Sequence, residues 1–173
     1  MLDNTHQDWK ARADGLILRN QAFIDGRFVD AISGKTFDSI NPANGAVLTS
    51  VAECDTEDVN LAVAAGRRAF NAGYWSRMAP GDRKVIMLKL ADLIRANLEE
   101  MALLDSLDMG KLITDAVTVD APGSAHFFQW YAECIDKIYD EVAPTGPGDL
   151  ALVRRVPLGV VGAVTPWNFP LDM

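Results

Sequence analysis

The sequence predicts an α/β chain with an N-terminal arm, a hairpin and an incomplete parallel sheet. Three observations carry this reading. Short apolar-rich segments separated by turn residues lie between Ala22 and Glu53. Helical periodicity follows from about Asp55 to about Tyr139. A small, β-branched run, Gly159–Val164, then has the composition of a strand buried on both faces. A parallel α/β sheet needs more strands than the chain supplies after its helices, so the sheet is expected to be incomplete.

Each element has its own signal. Residues 2–18 have weak helical periodicity and are expected to form an arm. Ala22 to Val29 reads as a tight hairpin around Asp25-Gly26, because glycine accepts the positive φ that such turns demand. Thr36–Ile40 is a second short strand, closed by the turn chemistry of Asn41-Pro42-Ala43-Asn44-Gly45. Val47–Glu53 continues as a strand. Asp55 or Thr56 then caps a helix whose first turn carries Glu57 and Asp58 at the positive end of the dipole. Val59, Ala62, Val63, Gly66, Ala69 and Phe70 recur at helical spacing and predict a buried face, and Gly73 ends the helix. Pro80 suits the first turn of the next helix, with Ile86, Leu90, Leu93 and Ile94 expected to face inward. Met101, Leu104 and Leu107 lie on a further helix ending near Gly110. A longer helix is expected from about Ile113 to about Tyr139, broken or kinked near Pro122-Gly123. Pro144 to Asp149 is a loop by composition, and Ala151–Val156 reads as a strand.

Composition narrows the function. The chain has 173 residues, 49% apolar and 23% charged, with a net charge of −8. That balance is typical of a soluble globular protein and argues against non-specific nucleic-acid binding, which needs a basic footprint. No apolar run approaches the roughly 18 residues of a membrane span. Asp3, His6, Asp8 and Lys10 interrupt the N-terminus, so no signal peptide is read there. Cys54 and Cys134 are expected to be free thiols in a reducing cytoplasm. Cys54 stands at a strand-to-helix junction, where a helix N-terminus could activate it, and Cys134 lies between anions that disfavour a thiolate. His6 and His126 lack metal-ligand spacing, and no metal is expected.

The chemistry-bearing segment is Val164-Thr165-Pro166-Trp167-Asn168-Phe169-Pro170. Each proline fixes its own φ and pushes the preceding residue into extended geometry. Asn168 is held between them, and its amide supplies two N–H donors. A preorganised donor at the carboxyl end of a strand is what an oxyanion hole requires. The plainer reading is a turn or N-cap asparagine beside a core tryptophan. Gly159-Val160-Val161-Gly162 lies inside a strand pattern, so close strand packing explains it better than a nucleotide-binding turn.

The stretch from Arg155 to Gly162, followed by Thr165 to Leu171, resembles the aldehyde dehydrogenase superfamily. Leu107-Asp108-Met109-Gly110-Lys111 is similar to that family's Leu-Asp-x-Gly-Lys segment, and Trp130-Tyr131-Ala132 and Ile40-Asn41-Pro42 extend the resemblance over essentially the whole chain. His6 to Phe28 and Trp130 to Glu133 look most like the γ-glutamyl-γ-aminobutyraldehyde dehydrogenases. The resemblance implies a Rossmann-like NAD(P)-binding domain, with residues 1–140 as its N-terminal portion, 141–157 as a hairpin through which subunits oligomerise, and 158–173 as the truncated start of the central sheet. It implies NAD or NADP as cofactor, a small-molecule aldehyde as substrate and a homo-oligomer. In the family a cysteine thiolate attacks the aldehyde, hydride passes to the nicotinamide, and a glutamate-assisted water releases the acid. By the same resemblance Asn168 stabilises the oxyanion. Val164, Thr165, Pro166 and Trp167 line the nicotinamide ribose, and Phe169 and Val119 wall the substrate tunnel. Asp120 attracts the ammonium of an aminoaldehyde, or is a solvated helix charge or a cap before Pro122.

The family commonly has Glu where this chain has Val156, which is expected to leave Arg155 unpaired. In the family the nucleophilic cysteine, the general base, the pyrophosphate glycines and the ribose lysine follow the asparagine, and none is among these residues. The expectation is therefore a dehydrogenase fragment, inactive and incompletely folded by itself. The alternative is a truncated, non-catalytic module that binds family subunits or does nothing.

Overall fold

A computed structural model describes residues 4–173; the start of the arm, residues 2 and 3, lies outside them. Within the arm, helix α1 (His6–Asp14) is opened by a capping box. The Thr5 hydroxyl accepts from the Asp8 N–H, and the Asp8 carboxylate accepts from the Thr5 N–H at 2.7 Å. β1 (Ala22–Ile24) and β2 (Arg27–Val29) form the expected hairpin, with Asp25 and Gly26 at φ 54° and 78°. β3 (Thr36–Ile40) pairs antiparallel with β4 (Val47–Ala52), and a register shift falls between Ser39 and Ile40. Asn41 is buried in the connecting turn, where its Oδ1 accepts from Ala43 N–H at 2.9 Å and its carbonyl accepts from Gly45 N–H at 2.8 Å.

Helix α2 (Thr56–Ala72) starts at Asp55 with a second capping box and stops at the left-handed Gly73. Helix α3 (Pro80–Ala96) carries its proline in the first turn, as expected. α4 (Leu98–Met109) ends at Gly110, φ 79°. The predicted long helix is divided into α5 (Ile113–Asp115), a π turn (Ala116–Asp120) and α6 (Ala121–Cys134). The irregularity sits just ahead of Pro122, and the helix ends at Cys134 rather than Tyr139. A proline ring collides with the carbonyl four residues back in a regular helix and offers it no N–H. Widening the preceding turn by one residue avoids both problems. β5 (Glu141–Ala143) and β6 (Ala151–Val153) form the third antiparallel ladder.

The core is helical. Ala91, Ile94, Leu98, Ala102, Leu103, Ala116, Val117, Ala121, Ala125 and Ala132 are buried between α3, α4, the π turn and α6. Alanine at most of these positions lets the helix backbones approach closely. The larger buried side chains, such as Ile94 and Leu103, each contribute roughly 1.5–3 kcal/mol by leaving water.

Two predicted inward faces differ from the structure. On α3 the buried positions are Ala91 and Ile94, while Ile86, Leu90 and Leu93 are exposed. Val85, Ile86, Met87, Leu88 and Leu90 make this helix apolar nearly all round, so periodicity does not select the stripe; the small residues of α6 do. On α2 only Asp58 and Ala65 are buried, and Val59 and Val63 are exposed. The first hairpin contacts this helix, and Val160 approaches it at Gly66, which leaves most of its apolar face uncovered.

Gly159–Val164 is not a buried strand. The described sheets are three separate two-stranded antiparallel ladders, and this run pairs with none of them. Val161 and Val164 are exposed. Its β-branched composition suits a sheet interior, but pairing comes from neighbouring strands, and none adjoins it among the described residues.

Candidate active site

The site is assembled where α4, the π turn and the start of α6 meet the segment from Asn168 to Asp172. Gly110 reverses the chain after α4 in a conformation that suits glycine, and an added Cβ would stand 2.7 Å from the Pro42 ring. The reversal aims Lys111 back toward the helices. Its main chain is pinned by Ser106, whose hydroxyl donates to the Lys111 carbonyl at 2.8 Å.

The π turn then separates two neighbouring side chains. Val119 points outward and is exposed, whereas Asp120 is 2% exposed. The Asp120 carboxylate forms an ion pair with the Lys111 ammonium. Lys111 Nζ also donates to the main-chain carbonyl of Asn168 at 3.3 Å and lies 3.9 Å from the centroid of the Phe169 ring. A second tie holds the same segment: the Ser124 hydroxyl donates to the Leu171 carbonyl at 2.9 Å, and Leu171 packs against the helical core. Asp172 lies beside Gly123, where an added Cβ would come within 3.2 Å of its carboxylate.

Three carboxylates, those of Asp105, Asp120 and Asp172, therefore face one ammonium. Burial, reinforced by the charge of Asp120, pushes the Asp105 carboxyl up to about 6 against the pull of Lys111. Burial and Asp120 raise Asp172 in the same way. Asp105 Oδ2 and Asp172 Oδ1 are buried without a hydrogen-bond partner. A proton on each carboxyl lowers the cost of that desolvation, in keeping with the direction of both shifts.

Asn168 itself is exposed while its main chain is held, so its amide is presented rather than consumed by the fold. The Phe169 carbonyl accepts from the Asp172 and Met173 N–H groups at 3.3 Å, closing a turn behind it. Val164, Thr165, Pro166 and Trp167 lead into Asn168 as one exposed stretch. Trp167 is 79% exposed and is not the core aromatic of the plainer reading. Phe169 is only 38% exposed because the Lys111 ammonium lies over its ring. The structure thus brings Asn168, Phe169 and Asp120 together around Lys111 and leaves Val119 on the outer face of the turn.

Other expectations are resolved away from this site. Cys54 is exposed, and partial desolvation with the Asp58 and Asp55 carboxylates raises its pKa, opposite to activation by a helix N-terminus. Arg155 is not unpaired: its guanidinium meets Glu141 at 2.5 Å and the Tyr139 carbonyl, and its N–H donates to Asp140 at 2.9 Å. Glu141 at the start of β5 and the two residues before it supply these acceptors, replacing the glutamate absent at Val156. No helix of the described residues is long and apolar enough to cross a membrane. Lys111, Asp105, Asp172 and Ser124 were not legible as site residues from periodicity or spacing. Only the Leu-Asp-x-Gly-Lys segment pointed toward Lys111.

The sequence model of the aldehyde dehydrogenase family matches residues 28–173. The aminoacetaldehyde dehydrogenase of Pseudomonas aeruginosa is 50% identical over 98% of this chain, which covers 34% of that protein. The NADP/NAD-dependent aldehyde dehydrogenase PuuC of Escherichia coli is 43% identical over 94% of this chain and 33% of its own length. The structure of a gamma-glutamyl-gamma-aminobutyraldehyde dehydrogenase from Burkholderia cenocepacia superposes with a TM-score of 0.95 at 50% identity, over 98% of this chain and 34% of that one. This chain spans about a third of the length of the curated relatives it matches. With the matched residues taking in the helical core, the Lys111 cluster and the Asn168 segment, the chain belongs to the aldehyde dehydrogenase family.

Proposed function

We propose that these residues form the N-terminal part of an enzyme that oxidises an aldehyde to a carboxylic acid with NAD or NADP, and that Asn168 donates its amide to the oxyanion. The observation that carries this is the presentation of Asn168: an exposed amide on a main chain tied down by Lys111 and Ser124 through residues 168 and 171. Such a donor lowers the barrier because it needs no reorganisation as charge develops on oxygen. NAD or NADP, when bound, accepts the hydride. Val164, Thr165, Pro166 and Trp167 form the exposed, proline-stiffened edge that would meet its ribose, and Phe169 offers apolar surface to the aldehyde. The likeness to an aminoacetaldehyde dehydrogenase supports an aldehyde carrying its own ammonium group as substrate; Asp120 is buried and paired with Lys111, so it would act from beneath the surface rather than by standing free.

The residues of this chain do not by themselves complete the reaction. Cys54 has its thiol pKa raised by partial desolvation and by the nearby Asp58 and Asp55 carboxylates, and Cys134 is half-buried at the end of α6, so neither is a thiolate poised beside Asn168. The β5–β6 hairpin, with Val142 and Leu152 exposed, is the surface through which the complete cytoplasmic enzyme would assemble as a homo-oligomer.

The test is Asn168→Ala in the complete enzyme, with NADH or NADPH formation followed on an aminoaldehyde. Loss of one oxyanion donor lowers kcat by about 10²–10³. The same assay on the 173 residues alone is expected to show no turnover. An unchanged kcat in the variant, or thiol-dependent turnover by the 173 residues, refutes the reading.

A further inference from the structure

The Lys111 ammonium is buried to 14% exposure, an unusual place for a lysine, and it is fully engaged. Its three N–H donors face three acceptors. One is the carboxylate of Asp120, itself 3% exposed along its side chain. The second is the Asn168 carbonyl at 3.3 Å, and the third is the face of the Phe169 ring at 3.9 Å. Two of these three partners are consecutive residues of the segment that carries the oxyanion donor. The other belongs to the π turn, an irregularity that turns Asp120 inward from a helix whose next side chain back faces out.

We propose that Lys111 is a positioning residue for Asn168. Anchored by Asp120, it ties the Asn168 main chain and the Phe169 ring to the end of α4 and so determines where the Asn168 amide is presented. The proposal rests on the oxyanion role of Asn168. It explains why the side chain of Asn168 stays exposed while its carbonyl is bonded inward: the lysine takes the main-chain acceptor and leaves the amide donors for a ligand. It also explains the glycine before Lys111. A side chain at position 110 would meet Pro42 and displace the turn from which the lysine departs. Asp120 acts here through Lys111, holding the largely buried ammonium in place. Neutral methionine in place of Lys111 would retain the stem's packing and lose all three contacts. Arginine keeps the charge and can still pair with Asp120.

The experiment is a double-mutant cycle in the complete enzyme with Lys111→Met and Asn168→Ala, read as kcat and KM separately. Lys111→Met is expected to lower kcat at least 10-fold with KM for the cofactor within 3-fold of the parent. In the Asn168→Ala background it is expected to change kcat by less than 2-fold, because the group it positions is already gone. Lys111→Arg is expected to recover part of the loss. An equal fall in both backgrounds overturns the proposal while leaving the oxyanion role standing. A silent Asn168→Ala instead overturns the proposed function, and with it this inference. Amide exchange over residues 167–173 gives a readout independent of turnover. Lys111→Met should speed it by 10-fold or more, and unchanged exchange also overturns the proposal. Should Lys111→Met not fold, Lys111→Gln is carried through the same cycle and the same exchange measurement, with the same outcomes.

Discussion

Replacing Gly110 by Ala tests the geometry beneath the site. Two costs add at this position. The backbone is left-handed, φ 79°, which costs a residue with a Cβ roughly 1–2 kcal/mol. The new methyl would also stand 2.7 Å from the Pro42 Cγ. Pro42 cannot swing aside, because it sits in the turn held by the buried Asn41 and its bonds to Ala43, Gly45 and Ala46. Overpacking of this kind costs about 1–3 kcal/mol. The expected loss is therefore about 3 kcal/mol, read as a lower urea midpoint than the parent's. Two other glycines separate the terms. Gly26 is also left-handed, φ 78°, but has nothing within 4 Å of its ideal Cβ, so Gly26→Ala should cost only the backbone term, about 1 kcal/mol. Gly81 lies in the first turn of α3 with open space around it, so Gly81→Ala should stabilise by roughly 0.5 kcal/mol. The three variants are compared by urea titration followed with tryptophan fluorescence and circular dichroism. A Gly110→Ala loss no larger than that of Gly26→Ala refutes the close approach of Pro42 and the reasoning built on it.

Two further outcomes follow from buried carboxylates. Asp105 titrates near 6 in the folded chain against an ordinary 3.8, so the folded state holds this proton more tightly than the unfolded one and ionisation costs stability as pH rises from about 4 to about 6. A two-unit rise sets a ceiling of about 3 kcal/mol, reduced to about 1–2 kcal/mol by solvent screening. Asp105→Asn should therefore gain stability over the parent at pH 7 but not at pH 4, and a pH-independent difference in urea midpoint refutes it. Asp58 has the opposite sign. Its carboxylate accepts from the Asp55 and Ile32 N–H groups, each at 3.0 Å, and those bonds hold its pKa below the ordinary range. Its contribution is present at neutral pH and is lost as pH falls below about 4. Asp58→Ala should lower Tm at pH 7 and speed amide exchange at Ile32 and Asp55, and unchanged exchange at both refutes the assignment.

Much of the fold was legible because its signals are local. Asp25-Gly26, the Asp55 cap, Pro80 at a helix start and glycines at helix ends act through the backbone of their own few residues. The structure agrees with each of them. Faces were less legible. Periodicity identified α2 and α3 as helices but misplaced their buried stripes, because burial depends on which neighbour covers which side. Gly159–Val164 shows the same limit for strands, since composition cannot supply the ladder partner that makes an extended run a strand.

For the site, the sequence by itself offered Asn168 as a candidate: two prolines restrain the backbone around that amide, and the family resemblance implies its oxyanion role. Only the tertiary structure decided what holds it. Lys111 is 57 positions away from Asn168, Asp120 of the π turn anchors that lysine, and Ser124 of α6 bonds to the segment at Leu171. Their meeting depends on a glycine reversal and a π turn stacking in one place. A residue's intrinsic chemistry can be read along the chain, but the partner that directs that chemistry comes from packing between elements distant in sequence.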